Sequence, residues 1–112
     1  MSVYVKERLE GKVIPYMMEE AIKEVLEKEW SATLTREGYK MAGWHGPLSY
    51  TIKDRELEYN VDAWGKQEQW AKIKKQIQAN YTSRVYQAAA MKAGFKNVSR
   101  KKEGTKIKIL AR

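Results

Sequence analysis

The chain has 112 residues, 43% of them apolar, and a formal net charge of +8. This length suffices for one modest hydrophobic core, so residues 1–112 are predicted to form a single domain. The absence of cysteine excludes disulfides, thiolate nucleophiles and cysteine-type zinc sites. No apolar run approaches the roughly 18 residues of a membrane span, and the N-terminal residues contain no secretory apolar region, so a cytoplasmic protein without a membrane partner is predicted.

The first predicted element is an amphipathic helix that begins at Pro15 and ends near Trp30. Proline is tolerated in the first turn of a helix because the first N–H groups have no partner inside the helix. Met17, Ala21 and Val25 recur on one face at the helical period. The intervening glutamates and lysines are interpreted as a solvated face.

Residues 31–64 change to a pattern typical of strands. Residues 31–44 are rich in threonine and aromatic residues and contain a turn signal at Gly38. Residues 43–47 form a predicted tight loop bracketed by glycine and proline. Beyond this loop, residues 49–53 and 57–64 are predicted to pair as a hairpin with one solvated face.

The second predicted helix starts after Gly65 and ends at Gly94, a typical C-terminal cap. Its apolar stripe, spaced by steps of three and four, contains Trp70, Ile73, Ile77, Tyr81, Val85 and Ala88. Lys72 and Lys75 fall on the opposite face. Arg84 falls inside the stripe and therefore needs a partner or a path to water.

The chain closes with a predicted β-hairpin whose turn lies at Glu103-Gly104. Ile107, Ile109 and Ala111 alternate with polar residues and are predicted to face the core. The order of elements predicts an α+β domain in which a small antiparallel sheet of about five strands carries two helices packed on one face.

Two segments carry a resemblance to a known family. Residues 80–98, NYTSRVYQAAAMKAGFKNV, and residues 103–112, EGTKIKILAR, resemble the last helix and closing strand of the cyanobacterial and chloroplast family called hypothetical chloroplast reading frame 35; the GWHG sequence at residues 43–46 is similar to its glycine-aromatic loop. The resemblance implies an α+β fold and no particular reaction. It also implies that Tyr81 and Arg84 occupy positions where the family places polar groups inside a helix stripe, although Arg84 stands where the family often has histidine.

Positive charge is concentrated in residues 65–112, which carry thirteen cations and two anions, whereas residues 1–64 carry nine cations and twelve anions. Clustered cations attract phosphates irrespective of their spacing, so a polyanionic partner, most plausibly nucleic acid, is predicted. The predicted contact residues are Lys72, Lys75, Arg84, Lys96, Arg100, Lys101, Lys102, Lys106 and Lys108. Edge protection explains strand lysines equally well, so the run Arg100-Lys101-Lys102, placed at the predicted turn, is the favoured contact.

The alternative function is an adaptor or inhibitor that docks on an acidic protein surface. Trp44, His45 and Tyr81 are the candidate partner contacts, since an exposed tryptophan contributes a large contact area. Arg84 either binds an anion or forms an internal pair, for which Asp62 is the favoured partner. No motif supplies a catalytic constellation, a metal site or a cofactor site, so a non-enzymatic protein is predicted, and both a monomer and a homodimer remain open.

Overall fold

The computed structural model describes residues 4–9, 11–95, 98–103 and 106–111. The elements in chain order are β1 (Tyr4–Arg8), α1 (Pro15–Glu24), a π-helical turn (Val25–Glu29), β2 (Thr33–Thr35), β3 (Gly38–Lys40), β4 (Ser49–Lys53), β5 (Glu56–Asp62), α2 (Gln67–Lys92), β6 (Val98–Glu103) and β7 (Lys106–Ala111). The predicted α+β class, with two helices and a small antiparallel sheet, is confirmed. The described strands divide into antiparallel sheets of three, two and two strands.

The first helix begins and ends close to the predicted positions. Pro15 occupies the first turn after the extended residue Ile14, and the π-helical turn carries the chain to Trp30. Met18 is fully buried, whereas Met17 is only half-buried, so the apolar face is rotated slightly from the predicted one.

The three-stranded sheet has the order β1-β5-β4. Its first strand was not predicted, because five residues with three charges show little apolar alternation. In the register, Val5 pairs with Val61 and Glu7 pairs with Tyr59. The N-terminal strand therefore completes a sheet whose other two strands lie far along the chain.

A tight turn at Asp54 and Arg55 joins β4 to β5. Both residues have positive φ angles, 54° and 66°, as a two-residue hairpin turn that follows the sheet twist requires. The N–H of Val13 donates to the carbonyl oxygen of Arg55 at 2.8 Å. The segment before α1 is thus attached to the turn that it covers.

The β2–β3 hairpin continues towards β4 through one bridge. Tyr39 and Leu48 exchange two backbone hydrogen bonds of 2.7 and 2.8 Å. At Gly38 the backbone passes so close to Leu48 that an added Cβ would lie 2.4 Å from the carbonyl oxygen of Leu48. A side chain at this position would therefore collide with the neighbouring strand.

The hydrophobic core lies between the helices and one face of the three-stranded sheet. Leu57, Tyr59 and Val61 are buried and alternate with less buried polar residues, as the sequence predicted. The other large, fully buried side chains are Met18, Ile22, Val25, Leu26, Leu48, Ile73 and Ile77. Trp70 meets the edge of the Tyr59 ring at a centroid distance of 5.1 Å, which joins α2 to the sheet.

The β6–β7 hairpin packs along α2. Arg100 contacts Ser83. Ser83 lies about 13 Å along the helix axis before Lys92, the last residue of α2. The sixth strand therefore runs back along α2 after the helix ends. The predicted inward face of Ile107, Ile109 and Ala111 lies outside the side chains that the structure describes.

Candidate nucleic-acid interface

Two of the predicted contact lysines lie on the solvent side of α2. Lys72 and Lys75 are both exposed and stand one turn apart on the helix. The ammonium group of Lys72 lies 6.0 Å from the centroid of the Trp30 ring. A cation over an aromatic face gains electrostatic attraction from the ring, so Trp30 holds this lysine near the helix surface.

A buried glutamine fixes the Trp30 ring. The indole Nε1–H donates to the side-chain oxygen of Gln76 at 2.6 Å, and Gln76 itself is buried in α2. Trp30 is half-buried and packs against the core. The role of this tryptophan could not be predicted from the sequence, because its partner is a polar residue on the buried side of another helix.

The neighbouring cation Lys74 has a different environment. Its ammonium group donates to both carboxylate oxygens of Glu7, at 2.8 and 2.9 Å, and lies 5.5 Å from the centroid of the Trp70 ring. The indole N–H of Trp70 also reaches Glu7, at 3.4 Å. This half-buried group ties β1 to α2, so Lys74 is a structural cation.

Arg84 forms an internal pair, and its partner is Glu24 on α1. Asp62, the partner favoured from the sequence, instead accepts a hydrogen bond from the backbone N–H of Trp64 at 3.1 Å. The Nε–H of Arg84 donates to the side-chain oxygen of buried Asn80 at 2.7 Å. The prediction of an internal pair is therefore confirmed with a different carboxylate, because α1 rather than β5 lies beside this part of α2.

Arg100 joins the same group from β6. Its guanidinium donates to the hydroxyl of Ser83 at 3.2 Å and lies 3.8 Å from the carboxylate of Glu24. Burial lowers the pKa of Arg100, nearby Arg84 lowers it further, and Glu24 opposes the change. We call Glu24, Asn80, Ser83, Arg84 and Arg100 the arginine cluster.

The Arg100-Lys101-Lys102 run lies on a strand, which corrects its predicted position at a turn. The register pairs Arg100 with Ile109, Lys101 with Lys108 and Lys102 with Ile107. The strand is longer than predicted because pairing continues to Glu103 and Lys106. The side chains of Lys101, Lys102, Lys106 and Lys108 lie outside those the structure describes, as does the whole of Lys96.

Tyr81 has a structural contact rather than a free polar group. Its hydroxyl accepts a hydrogen bond from the backbone N–H of Ile14 at 2.9 Å. Ile14 precedes α1, so this bond satisfies one of the backbone donors that a helix start leaves without an intrahelical partner. Tyr81 therefore links the two helices.

The two aromatic residues of the loop between β3 and β4 have different environments. Trp44 is half-buried and packs against the core, whereas His45 is exposed. The imidazole of His45 lies 4.8 Å from the ring of Trp64, which is 43% exposed. Trp64 was missed from the sequence because it was assigned to a strand, and it lies in a turn beyond β5.

Neither a metal site nor a membrane span is found in the described residues. No group of three or more histidine, aspartate or glutamate side chains there could hold a metal ion. No described helix is long and apolar enough to cross a membrane. Comparison with protein-family models, curated proteins and solved structures gave no match to this chain. The resemblance to the chloroplast reading frame 35 family therefore stays a prediction.

Proposed function

We propose that this chain is a small non-enzymatic binding protein that contacts a polyanion, most plausibly nucleic acid, through its basic C-terminal half. The observation that carries the proposal is how the described carboxylates are distributed. Glu7 is taken by Lys74, and Glu24 is shared by Arg84 and Arg100. The exposed lysines Lys72 and Lys75 face solvent on α2, where phosphates can reach them.

Internal pairing divides the predicted contact residues into two groups. Arg84 and Arg100 belong to the arginine cluster, where their side chains are about 21% and 23% exposed, so we assign them a structural role. The proposed contact surface consists of Lys72, Lys75, Lys96, Lys101, Lys102, Lys106 and Lys108. Lys72 and Lys75 belong to α2, Lys101 and Lys102 to β6, and Lys106 and Lys108 to β7.

The mechanism is electrostatic. Lysines that approach phosphates release condensed counterions, so the affinity falls as the salt concentration rises. Trp30, whose ring lies 6.0 Å from the ammonium group of Lys72, is half-buried and hydrogen-bonded. Base stacking is therefore not required, and we expect weak sequence preference.

The test compares charge reversals on the two halves of the chain. Fluorescent single- and double-stranded DNA and RNA oligonucleotides are titrated with the wild-type protein and with Lys72→Glu/Lys75→Glu at about 50 and 200 mM salt. The wild type should bind at low salt, and the double variant should lose about tenfold or more in affinity for every oligonucleotide.

The matched control is Lys12→Glu/Lys40→Glu, which changes the net charge equally at exposed positions of the N-terminal half. It should retain most of the binding. Undetectable binding of every oligonucleotide at low salt, or equal losses in both double variants, would contradict the proposal.

A protein partner is the second candidate function, and one observation favours a specific anchor for it. Trp64 and His45 form an exposed aromatic pair, whereas Trp44 packs against the core. Trp64, rather than Trp44, would therefore be the main anchor for a partner with an acidic surface. Trp64→Ala should then abolish partner capture and leave oligonucleotide binding unchanged.

A further inference from the structure

The N-terminal strand forms one edge of the three-stranded sheet. The N–H of Leu9 donates to the carbonyl oxygen of Leu57 at 2.9 Å, which identifies these two residues as a hydrogen-bonded pair of the ladder. Because such pairs alternate in an antiparallel ladder, the backbone groups of Lys6 and Arg8 point away from β5. Among the described strands, only β5 pairs with β1.

A groove of about 490 Å³ lies between this edge and α2. Its walls contain Glu7, Arg8 and Leu9 from β1 and Lys74, Lys75 and Gln78 from α2. Tyr59 and Ala71 add apolar surface. The volume falls in the range of roughly 300–1,000 Å³ that is usual for ligand sites.

The charges of the groove favour an anionic occupant. Glu7 is the one carboxylate among the described residues that line it, and Lys74 already binds it. Lys75 is exposed, and Arg8 lies 3.6 Å from Glu56 with a side chain that is 67% exposed. Arg8 lies opposite Glu58 in the register, on the other face of β1 from Glu7, because successive side chains of a strand alternate. Its surface pair with Glu56 contributes little, and Lys75 is the cation of the groove that is available to carboxylates.

The same charges disfavour a second copy of this chain at the edge. An antiparallel pair of β1 strands centred on Glu7 would place Lys6 opposite Arg8 twice and would bring the two Glu7 residues together. Like charges directly opposite each other destabilise a ladder. Charge complementarity therefore points to a foreign strand that carries carboxylates.

We propose that β1 accepts an extended acidic peptide as an additional antiparallel strand. The peptide backbone would bond to the outward N–H and C=O groups of Lys6 and Arg8, and alternate side chains would enter the groove towards Lys75. The site shares Lys75 with the proposed contact surface, and its backbone donors and acceptors belong to β1, which that surface does not include.

The first test uses the wild-type protein and a fluorescent octapeptide of alternating glutamate and valine. It should bind, and the matching lysine-valine peptide should not. Two further peptides carry N-methyl groups on all glutamates or on all valines, which removes backbone donors without changing charge. One of them should lose about tenfold or more in affinity, because one set of N–H groups faces β1. Equal binding of both N-methylated peptides and the parent would overturn the proposal, since electrostatic attraction alone would then explain binding.

The second test changes the protein. Proline at an outward-facing edge position removes one backbone N–H donor and leaves the bonds to β5 intact. Arg8→Pro should therefore bind the glutamate-valine peptide about tenfold more weakly than Arg8→Ala does. Amide hydrogen exchange of the wild type gives an independent measurement. Binding should slow exchange at Lys6 and Arg8, and unchanged exchange at both residues would overturn the proposal even if Arg8→Pro failed to fold.

Discussion

At the scale of single residues, Glu24 serves two arginines at once. It pairs with Arg84 and lies 3.8 Å from Arg100, so one carboxylate joins α1, α2 and β6. A charge that loses its partner in a partly buried site keeps its desolvation cost and loses the compensating attraction. The arginine cluster therefore depends on a residue that the sequence presents as one of several solvated glutamates.

Replacing Glu24 with alanine should destabilise the protein by about 1–3 kcal/mol, because two guanidiniums lose their shared carboxylate. Urea unfolding measures the change. Glu20→Ala on the exposed side of the same helix is the control and should shift the free energy of unfolding by less than about 0.5 kcal/mol. Equal effects of the two substitutions would contradict the structural role of the cluster.

Gly38 is required by both its conformation and its surroundings. Its φ angle is 131°, and an added Cβ would lie 2.4 Å from the carbonyl oxygen of Leu48. Gly38→Ala should therefore cost more than about 2 kcal/mol. Gly11→Ala is the matched control, since Gly11 also has a positive φ angle, 87°, but an added Cβ there meets nothing within 4 Å. That control should cost about 1–2 kcal/mol, and thermal unfolding of both variants checks the order.

Ionisation of Tyr59 should make the folded protein less stable at alkaline pH. Burial, and secondarily the charge of Glu7, raise its pKa above the ordinary value of 10. Burial, with smaller contributions from Glu19 and Tyr39, raises the pKa of Tyr50 to about 12. The folded chain therefore keeps protons that the unfolded chain releases, so this stability is complete below pH 10 and is lost as the pH rises above 10.

Tyr59→Phe should remove part of that dependence. Above pH 10 the free energy of unfolding of the wild type should fall relative to that of Tyr59→Phe, by up to about 1.4 kcal/mol per pH unit. Urea unfolding at pH 8 and pH 11 measures the shift. Tyr16→Phe is the control, because Tyr16 is 64% exposed. A constant difference for Tyr59→Phe would show that Tyr59 is not the responsible group.

At the scale of elements, α2 is the helix on which the other elements converge. It binds β1 through Lys74, the start of α1 through Tyr81, and β6 through Ser83. The buried positions of its C-terminal half include the polar residues Asn80 and Ser83. This half of the helix is therefore fixed by directional hydrogen bonds as well as by apolar packing.

Arg100→Ala and Lys101→Ala should separate attachment of the hairpin from binding. Loss of the Arg100 contacts with Ser83 and Glu24 should cost about 1–2 kcal/mol of stability. Lys101→Ala should leave stability within about 0.5 kcal/mol and weaken oligonucleotide binding. Thermal unfolding and fluorescence titration of both variants provide the measurements. Unchanged stability with weakened oligonucleotide binding in Arg100→Ala would instead assign Arg100 to the contact surface.

Periodicity was enough to predict the elements in which a single face is apolar. Residues 57–61 and the N-terminal half of α2 have a regular buried pattern, and both were located correctly. The N-terminal strand was missed because its pairing with β5 and the bond from Glu7 to Lys74 are tertiary contacts. Similarly, nothing local distinguishes Glu24 from its exposed neighbours, so its pairing with Arg84 could not be predicted.

At the scale of the whole molecule, the two halves of the chain neutralise each other only in part. The first 64 residues have a net charge of −3 and the last 48 a net charge of +11. The acidic half supplies carboxylates to Lys74, Arg84 and Arg100 across the domain core. The remaining excess of lysine gives the protein a positive long-range field, which would steer the polyanion proposed as its partner.

The pairing of β1 with β5 also fixes an order of events during translation. Tyr4 pairs with Asp62, and Glu7 binds Lys74, so β1 lacks these partners until β5 and α2, which lie far along the chain, have been synthesised. During that interval its backbone edge is open to other nascent chains. The short length and alternating charges of residues 4–8 reduce the risk of such pairing. The charged residues that make this strand hard to predict from periodicity are thus the ones that disfavour its pairing with other chains before β5 is available.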